Sequence, residues 1–228
     1  NGLSRATPSL PVCWYADPAH HALEMASIWR RRWIALARAE EAADPLSRIA
    51  RRIAGMNVLL LRDEAGALRA FHNVCRHRGS RLIIDEPSRT DAPACAPLAP
   101  AEHGASGKTK SVFRCPYHSW TYELDGSLRT APFLQELPGF EKSDLGLYTA
   151  ATATWGGFVF VKLDTESAAA PGGSLMEALG PISERVVRYP LSDLRIAHRT
   201  VYDVAANWKV ILENYNECYH CAPIHPEL

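Results

Sequence analysis

Two short clips in this chain carry residue types that bind metal. Cys75-Arg76-His77 comes first and Cys115-Pro116-Tyr117-His118 answers it, giving C-x-H followed by C-x-x-H. Thiolates and imidazoles are soft-to-borderline ligands. Two of each suit a [2Fe–2S] centre of the Rieske type, in which two Cys hold one iron and two His hold the other. Neutral imidazole in place of anionic thiolate makes reduction less costly. The potential then rises to roughly −150 to +300 mV, against about −400 mV for an all-Cys plant-type cluster. The same four residues also satisfy a tetrahedral Cys2His2 zinc site. On the tetrad alone both readings stand.

A second constellation lies near the C-terminal end. From Asn207 the chain reads as a helix, with Lys209, Glu213 and Glu217 spaced four apart. His220 follows Glu217 by three, about 60° round a helical cylinder, so the two share a face. Pro223 then breaks the helix. Without that break His220 and His225 would point about 140° apart. With it, both can serve one iron of the two-His, one-carboxylate kind. The competing reading is a buried helix with satisfied histidines. Cys218 and Cys221 flank His220 in C-x-x-C spacing, but no thioredoxin-like βαβ context surrounds them, so they read as buried thiols.

The elements that must position these clips can be read in order. Asp17-Pro18 is a helix start, with Asp as N-cap and Pro at the first helical position. Leu23, Ala26, Trp29, Trp33 and Leu36 then recur at helical spacing, and Asp44-Pro45 ends that helix. Arg30, Arg31 and Arg32 lie off the stripe and read as a solvated face. Residues 58–62 and 67–72 flank Asp63-Glu64-Ala65-Gly66 and read as a hairpin whose second strand delivers the first clip. His72 is a strand residue. Asp125-Gly126 marks a second hairpin, between 121–124 and 127–129. Tyr122 is a candidate hydroxyl donor to a cluster sulfur or ligand. Residues 154–161 read as one buried strand closing the β region. A helix over 175–187, interrupted at Gly180-Pro181, and a strand over 196–204 follow.

Thirty-seven residues separate His77 from Cys115, and 86–109 are rich in Ala, Pro, Gly and Ser without periodicity. That stretch reads as an inserted surface loop, with Cys95 and His103 an incidental pair. A second shift towards Ser, Ala, Pro and Gly at 164–173 marks a domain boundary.

Bulk properties bound the partners. The 228 residues hold 25 acids and 25 bases, which favours neither nucleic acid nor an anionic membrane. Six cysteines, two of them in ligand spacing, are too sparse for a disulfide scaffold. No signal peptide is visible, and apolar runs such as 58–61 and 156–161 are far shorter than a membrane span. A soluble protein of a reducing compartment is expected, most simply the cytoplasm.

Taken together, the motifs resemble one family. Asn73-Val74-Cys75-Arg76-His77-Arg78-Gly79 and Cys115-Pro116-Tyr117-His118-Ser119-Trp120 are similar to the two cluster loops of Rieske non-haem iron oxygenases. Asn207-Trp208-Lys209, then Glu213 to His220, then His225, resemble that family's mononuclear-iron segment. The resemblance spans nearly the whole chain. It implies an α+β protein in which an all-β Rieske [2Fe–2S] domain is inserted into an α+β, helix-grip-like catalytic domain only partly present here. The expected division is 1–43 as arm and helix packing on the catalytic domain, 44–163 as the Rieske domain, and 164–228 as the start of the catalytic domain.

The resemblance also implies roles. Cys75, His77, Cys115 and His118 would hold the cluster, and His220 and His225 would hold mononuclear Fe(II). Glu217 takes the position of the acidic bridge that links a cluster histidine of one subunit to an iron histidine of its neighbour in a head-to-tail trimer. The family's third iron ligand comes from later in the chain, so this sequence is expected to be the N-terminal part of a longer subunit. A reductase of flavin or ferredoxin type, drawing on NAD(P)H, would supply electrons, with O2 and a small molecule as co-substrates. Glu at 217, one residue tighter spacing from Glu213 to His220, and the run Cys218-Tyr219-His220-Cys221-Ala222-Pro223 resemble the branch acting on glycine betaine and related quaternary amines. The first expectation is therefore oxidative N-demethylation of such an amine. Hydroxylation of an aromatic acid, a Rieske ferredoxin-type electron carrier and a zinc-stabilised binding module are the alternatives.

Overall fold

The computed structural model describes residues 9–83, 106–108, 111–134, 138–164, 173–198, 202, 204–217 and 221–224. In chain order the helices are α1 (Val12–Ala16), α2 (Pro18–Glu24), α3 (Leu175–Leu179), α4 (Ile182–Arg185), α5 (Trp208–Asn216) and α6 (Cys221–Ile224). The first strands are β1 (Ile34–Arg38), β2 (Ser47–Ile53), β3 (Met56–Arg62), β4 (Leu68–His72) and β5 (Ser106–Lys108). Then come β6 (Val112–Arg114), β7 (Thr121–Glu123), β8 (Leu128–Thr130), β9 (Thr149–Trp155) and β10 (Phe158–Lys162). The chain divides into two compact units, Ile28–Arg199 and a smaller one formed by Asn1–Ser27 with Thr200–Leu228.

The ten strands among the described residues lie in the larger unit. Seven form one sheet in the order β1-β10-β9-β4-β3-β2-β5, and β6-β7-β8 form a second. The β3–β4 hairpin is antiparallel, with Leu61 opposite Arg69 and Val58 opposite His72. Its turn is held by Asp63, whose carboxylate accepts from the Ala67 amide at 2.8 Å and from Arg69 Nε at 2.9 Å.

β3 is apolar on both faces because both faces are covered. Leu59 and Leu61 belong to one core, with Phe71, Phe113, Trp120 and Tyr122. Val58 and Leu60 belong to the other, with Ile49, Ala70, Val159 and Val161. The first core contains Cys75 and Cys115, so both candidate ligand thiols sit in the packed interior between the two sheets' apolar residues. Gly126, at the β7–β8 turn, has φ +90°, and a Cβ there would lie 2.5 Å from the Phe71 ring. Only glycine lets that turn press onto the core.

Several expected elements differ. The helix expected to run as far as Asp44-Pro45 ends in a π-helical turn, Met25–Trp29, and residues 34–38 form strand β1 on the edge of the large sheet. Its partner is β10, far along the chain. The single strand expected over 154–161 is a hairpin. Gly156 and Gly157, both at positive φ, turn β9 into β10, and Trp155 faces Phe158. A Cβ at Gly157 would meet the Arg38 guanidinium at 2.5 Å. The helix expected over 175–187 is two short ones, α3 and α4, parted at Gly180-Pro181. Of the strand expected over 196–204, the described residues lie in no strand. Most of the 86–109 insertion lies outside the described residues, but Ser106–Lys108 within it forms β5, paired with β2.

In the smaller unit, Asp17 caps α2 through Ala19 N at 2.8 Å, with Pro18 at the first helical position. α5 is capped by Asn207, whose side chain accepts from the Lys209 amide at 3.0 Å. Among the described residues no helix is long and apolar enough to cross a membrane.

Candidate metal centre

The two clips close in the same way. In the first, Cys75 N donates to Ser80 O at 2.8 Å and Gly79 N to Cys75 O at 2.9 Å. In the second, Cys115 N donates to Trp120 O at 2.7 Å and Ser119 N to Cys115 O at 3.0 Å. Each loop therefore spans from a cysteine to the fifth residue beyond it, with the fourth, Gly79 or Ser119, at positive φ. His77 is the second residue past its cysteine and His118 the third.

The four side chains separate into two pairs at different depths. Cys75 and Cys115 are each 2% exposed. His77 is half-buried and His118 exposed. The two imidazoles meet edge to face, with centroids 4.7 Å apart at 70°. His77 also stacks on the buried Trp120 ring at 5.0 Å and 9°, and Tyr117 covers His118 at 3.7 Å. Burial holds the His77 pKa below its ordinary value, and the His118 and Arg78 charges lower it further, which favours the uncharged ring that metal ligation requires.

Donors surround the first of the two thiols. Burial pushes the Cys75 thiol up, and neighbouring Cys115 adds to this, while Tyr122 and the His77 N–H work against it. Tyr122 Oη lies 3.3 Å from Cys75 Sγ and accepts from Arg76 N at 3.0 Å. Burial and the neighbouring thiols raise the Tyr122 pKa, so the phenol keeps its proton. Asn73, buried just before the first clip, accepts from the Leu82 and Ile83 amides at 3.0 and 3.1 Å and donates to Ile83 O at 2.8 Å. That clamp ties the two ends of the first loop together. Asn73 and Arg76 stood in the motif without roles. An asparagine at a strand end is the sort of residue that bonds nearby backbone, and that signal was available.

The donor set fits a binuclear cluster. Two buried thiols, one of them beside hydrogen-bond donors, suit an inner iron, and two adjacent imidazoles nearer the surface suit an outer one. Among the described residues no three His, Cys, Asp or Glu side chains gather as a single-ion site requires.

The second constellation is described only in part. His220 and His225 lie outside the described residues. α5 stops at Asn216, whose side chain folds back to donate to Leu212 O at 2.9 Å. Glu217 follows in extended conformation, φ −116° and ψ 124°. The break therefore falls at Glu217, before His220, and the helical argument for a shared face does not extend across it. Pro223 lies within α6. Lys209 does not pair with Glu213. Its Nζ meets the buried Glu24 carboxylate at 2.6 and 2.8 Å, Trp208 Nε1 donates to the same group at 3.0 Å, and His20 lies 3.2 Å away. Glu213 instead accepts from Tyr15 Oη at 2.6 Å.

This architecture, with paired thiol and imidazole loops on a two-sheet β unit, is that of a Rieske iron–sulfur protein carrying a further domain. Residues 32–141 match the Rieske [2Fe-2S] domain, and 191–228 match the catalytic domain of the ring hydroxylating alpha subunit. The carnitine monooxygenase oxygenase subunit of Acinetobacter pittii (strain PHEA-2) is 34% identical over 218 residues, covering 96% of this chain and 53% of that protein. The glycine betaine monooxygenase oxygenase subunit of Chromohalobacter salexigens is 34% identical over 221 residues, 96% of this chain and 44% of that protein. The crystal structure of the quaternary ammonium Rieske monooxygenase CntA with L-carnitine superposes with a TM-score of 0.78 at 34% identity, over 94% of this chain and 55% of that one. The chain belongs to the Rieske non-haem iron oxygenases, in the line of their oxygenase α subunits. Its two domains imply a Rieske cluster and a mononuclear iron. It spans about half the length of the curated relatives it matches.

Proposed function

We propose that this chain is the cluster-bearing half of the terminal oxygenase in a multicomponent system that oxygenates a quaternary amine. The observation that carries the reading is the split of the four candidate ligands into a buried thiol pair and a surface-facing imidazole pair. The similarity to carnitine and glycine betaine oxygenase subunits supports the substrate class.

In this reading Cys75 and Cys115 anchor the inner iron, and His77 and His118 the outer one. When bound, the cluster supplies one-electron transfer and the mononuclear iron supplies activation of O2. The chain's own residues prepare for this. Tyr122 donates to the Cys75 sulfur, Trp120 excludes water behind His77, and His118 offers an exposed ring edge through which electrons enter and leave. His220 and His225 are the iron's histidine ligands. Glu217, in extended chain directly before them, is the carboxylate that accepts a hydrogen bond from a histidine N–H and couples the two centres, with the cluster supplied by a neighbouring copy in a trimer. A flavin- or ferredoxin-type reductase using NAD(P)H is the electron source. Residues 44–163 remain the expected Rieske domain, flanked by the 1–43 and 164–228 parts of the catalytic one.

Insertion of one oxygen atom of O2 into a C–H bond beside the quaternary nitrogen consumes two electrons and two protons, and the second oxygen leaves as water. The product is a hemiaminal, which breaks its C–N bond. Attack on an N-methyl group releases formaldehyde and a tertiary amine, which is oxidative N-demethylation. Attack on the backbone carbon of a trimethylammonium substrate releases trimethylamine. The test uses the full-length, iron-loaded subunit with a compatible reductase, against betaines, carnitine, choline and aromatic acids. Formaldehyde or trimethylamine released in step with O2 consumed supports the proposal, and the choice between them fixes the carbon attacked. A hydroxylated aromatic product with neither would overturn it.

A further inference from the structure

Arg76 stands between the first cysteine and the first histidine, and both its backbone and its side chain are engaged. Its N–H donates to Tyr122 Oη at 3.0 Å. A phenol oxygen that accepts there has its own proton left to point elsewhere, and the neighbouring acceptor is Cys75 Sγ at 3.3 Å. Once the sulfur is a thiolate it has no proton to give, so the phenol is the donor. The direction of the Tyr122 hydroxyl is thus set by where the Arg76 peptide sits.

The Arg76 side chain fixes that peptide. Nη1 donates to Gly146 O at 2.7 Å, and the guanidinium lies 4.0 Å from the centroid of the Tyr148 ring. Those two residues are themselves pinned. Leu147 N donates to Gly126 O at 2.8 Å, and His72 N donates to Tyr148 O at 2.8 Å. The guanidinium therefore straps the first loop to a segment fixed at both ends by the β7–β8 turn and by β4.

We propose that Arg76 is a positioning residue, which sets the reduction potential of the cluster by holding the Tyr122 hydroxyl on the Cys75 sulfur. This rests on the reading of the four side chains as cluster ligands. A donor to a cluster sulfur favours the reduced, more negative state, so losing it lowers the potential. Losing a nearby positive charge would also lower the potential, so the two causes must be separated.

The experiment is a double-mutant cycle in the full-length subunit, read as the midpoint potential of the cluster in a redox titration followed by visible circular dichroism and by the EPR spectrum of the reduced state. Arg76→Met and Tyr122→Phe each lower the midpoint, and the double variant falls no further than the lower of the two. Tyr148→Leu, which keeps the charge and removes the face beneath it, shifts the midpoint in the same direction and likewise adds nothing to Tyr122→Phe. Additive shifts, or an unchanged midpoint in Arg76→Met or Tyr148→Leu, would overturn the proposal. Should Arg76→Met fail to assemble a cluster, the Tyr148→Leu arm decides alone. Failure of the underlying reading looks different, because the unsubstituted protein would then lack acid-labile sulfide and a Rieske EPR signal.

Discussion

Gly79 and Ser119 occupy the same place in the two metal loops. Each lies four residues past its cysteine, donates its N–H to that cysteine's carbonyl, and has a positive φ, 71° and 62°. The loops are thus two copies of one turn, and only the histidine position differs between them. A side chain in left-handed conformation costs about 1–2 kcal/mol. A Cβ at Gly79 would meet only Val74 Cγ2, at 3.9 Å, so Gly79→Ala carries the backbone cost alone. The expected loss is on the order of 1 kcal/mol in denaturant unfolding. Ser119→Gly relieves strain but loses the 2.9 Å bond from Arg114, and should be near neutral.

Asn73→Ala should be more damaging. It leaves the Leu82 and Ile83 amides without their acceptor near the core. A loss of about 2–3 kcal/mol is expected, with lower sulfide content as the loop loosens. Asn73→Asp keeps the acceptor for the Leu82 and Ile83 amides but sets a second buried oxygen against Ile83 O in place of the donor; it should still retain more cluster than the alanine variant. Equal losses in both would show that the acceptor is not what matters.

His118→Cys tests the outer iron. A third thiolate makes the reduced cluster harder to reach, and the midpoint should fall towards the all-Cys range near about −400 mV. The measurement is a redox titration alongside iron and sulfide analysis. If Cys115 holds the inner iron as proposed, Cys115→Ser should abolish the cluster, with iron and acid-labile sulfide falling together.

Glu24 predicts an acid limit for the smaller unit. Burial alone would raise its pKa, but hydrogen bonds from Lys209 and Trp208, with the Lys209 and His20 charges, outweigh this and hold it below the ordinary value of 4.5. A carboxylate with a depressed folded-state pKa stabilises fully above the unfolded value and loses that stability as pH falls through the folded one. Melting temperature should therefore drop below about pH 4.5, and Glu24→Gln should flatten that limb. At neutral pH the same variant leaves Lys209 buried without its counter-ion, at a cost of about 3–5 kcal/mol.

What could be read from the sequence follows the range of the interactions involved. The Rieske domain was legible from the Cys75–His77 and Cys115–His118 clips because ligand chemistry is written in residue type and spacing. The β3–β4 hairpin was legible because Asp63 and Gly66 carry the turn locally. Residues 34–38 were misread because Trp29, Trp33 and Leu36 continue a helical spacing, while the strand that captures them, β10, is remote in sequence. The 154–161 run was misread because residues on both sides of Gly156-Gly157 are apolar, which hides a hairpin inside one hydrophobic stretch. At Glu217 the helical count carried on past the end of α5 at Asn216, where the chain turns extended.

β3 has one further consequence. A strand with Val58, Leu59, Leu60 and Leu61 all buried has no polar side by which to tell one alignment from the next. Slipping it by one residue would exchange one greasy surface for another. The ruler must therefore be at its ends, where Asp63 grips Ala67 and Arg69, and where Asn57 O receives the Asn73 amide at 2.8 Å. Those few polar contacts decide where Cys75 arrives, two residues past Asn73, and so whether its sulfur comes out beneath the second loop or facing away from it.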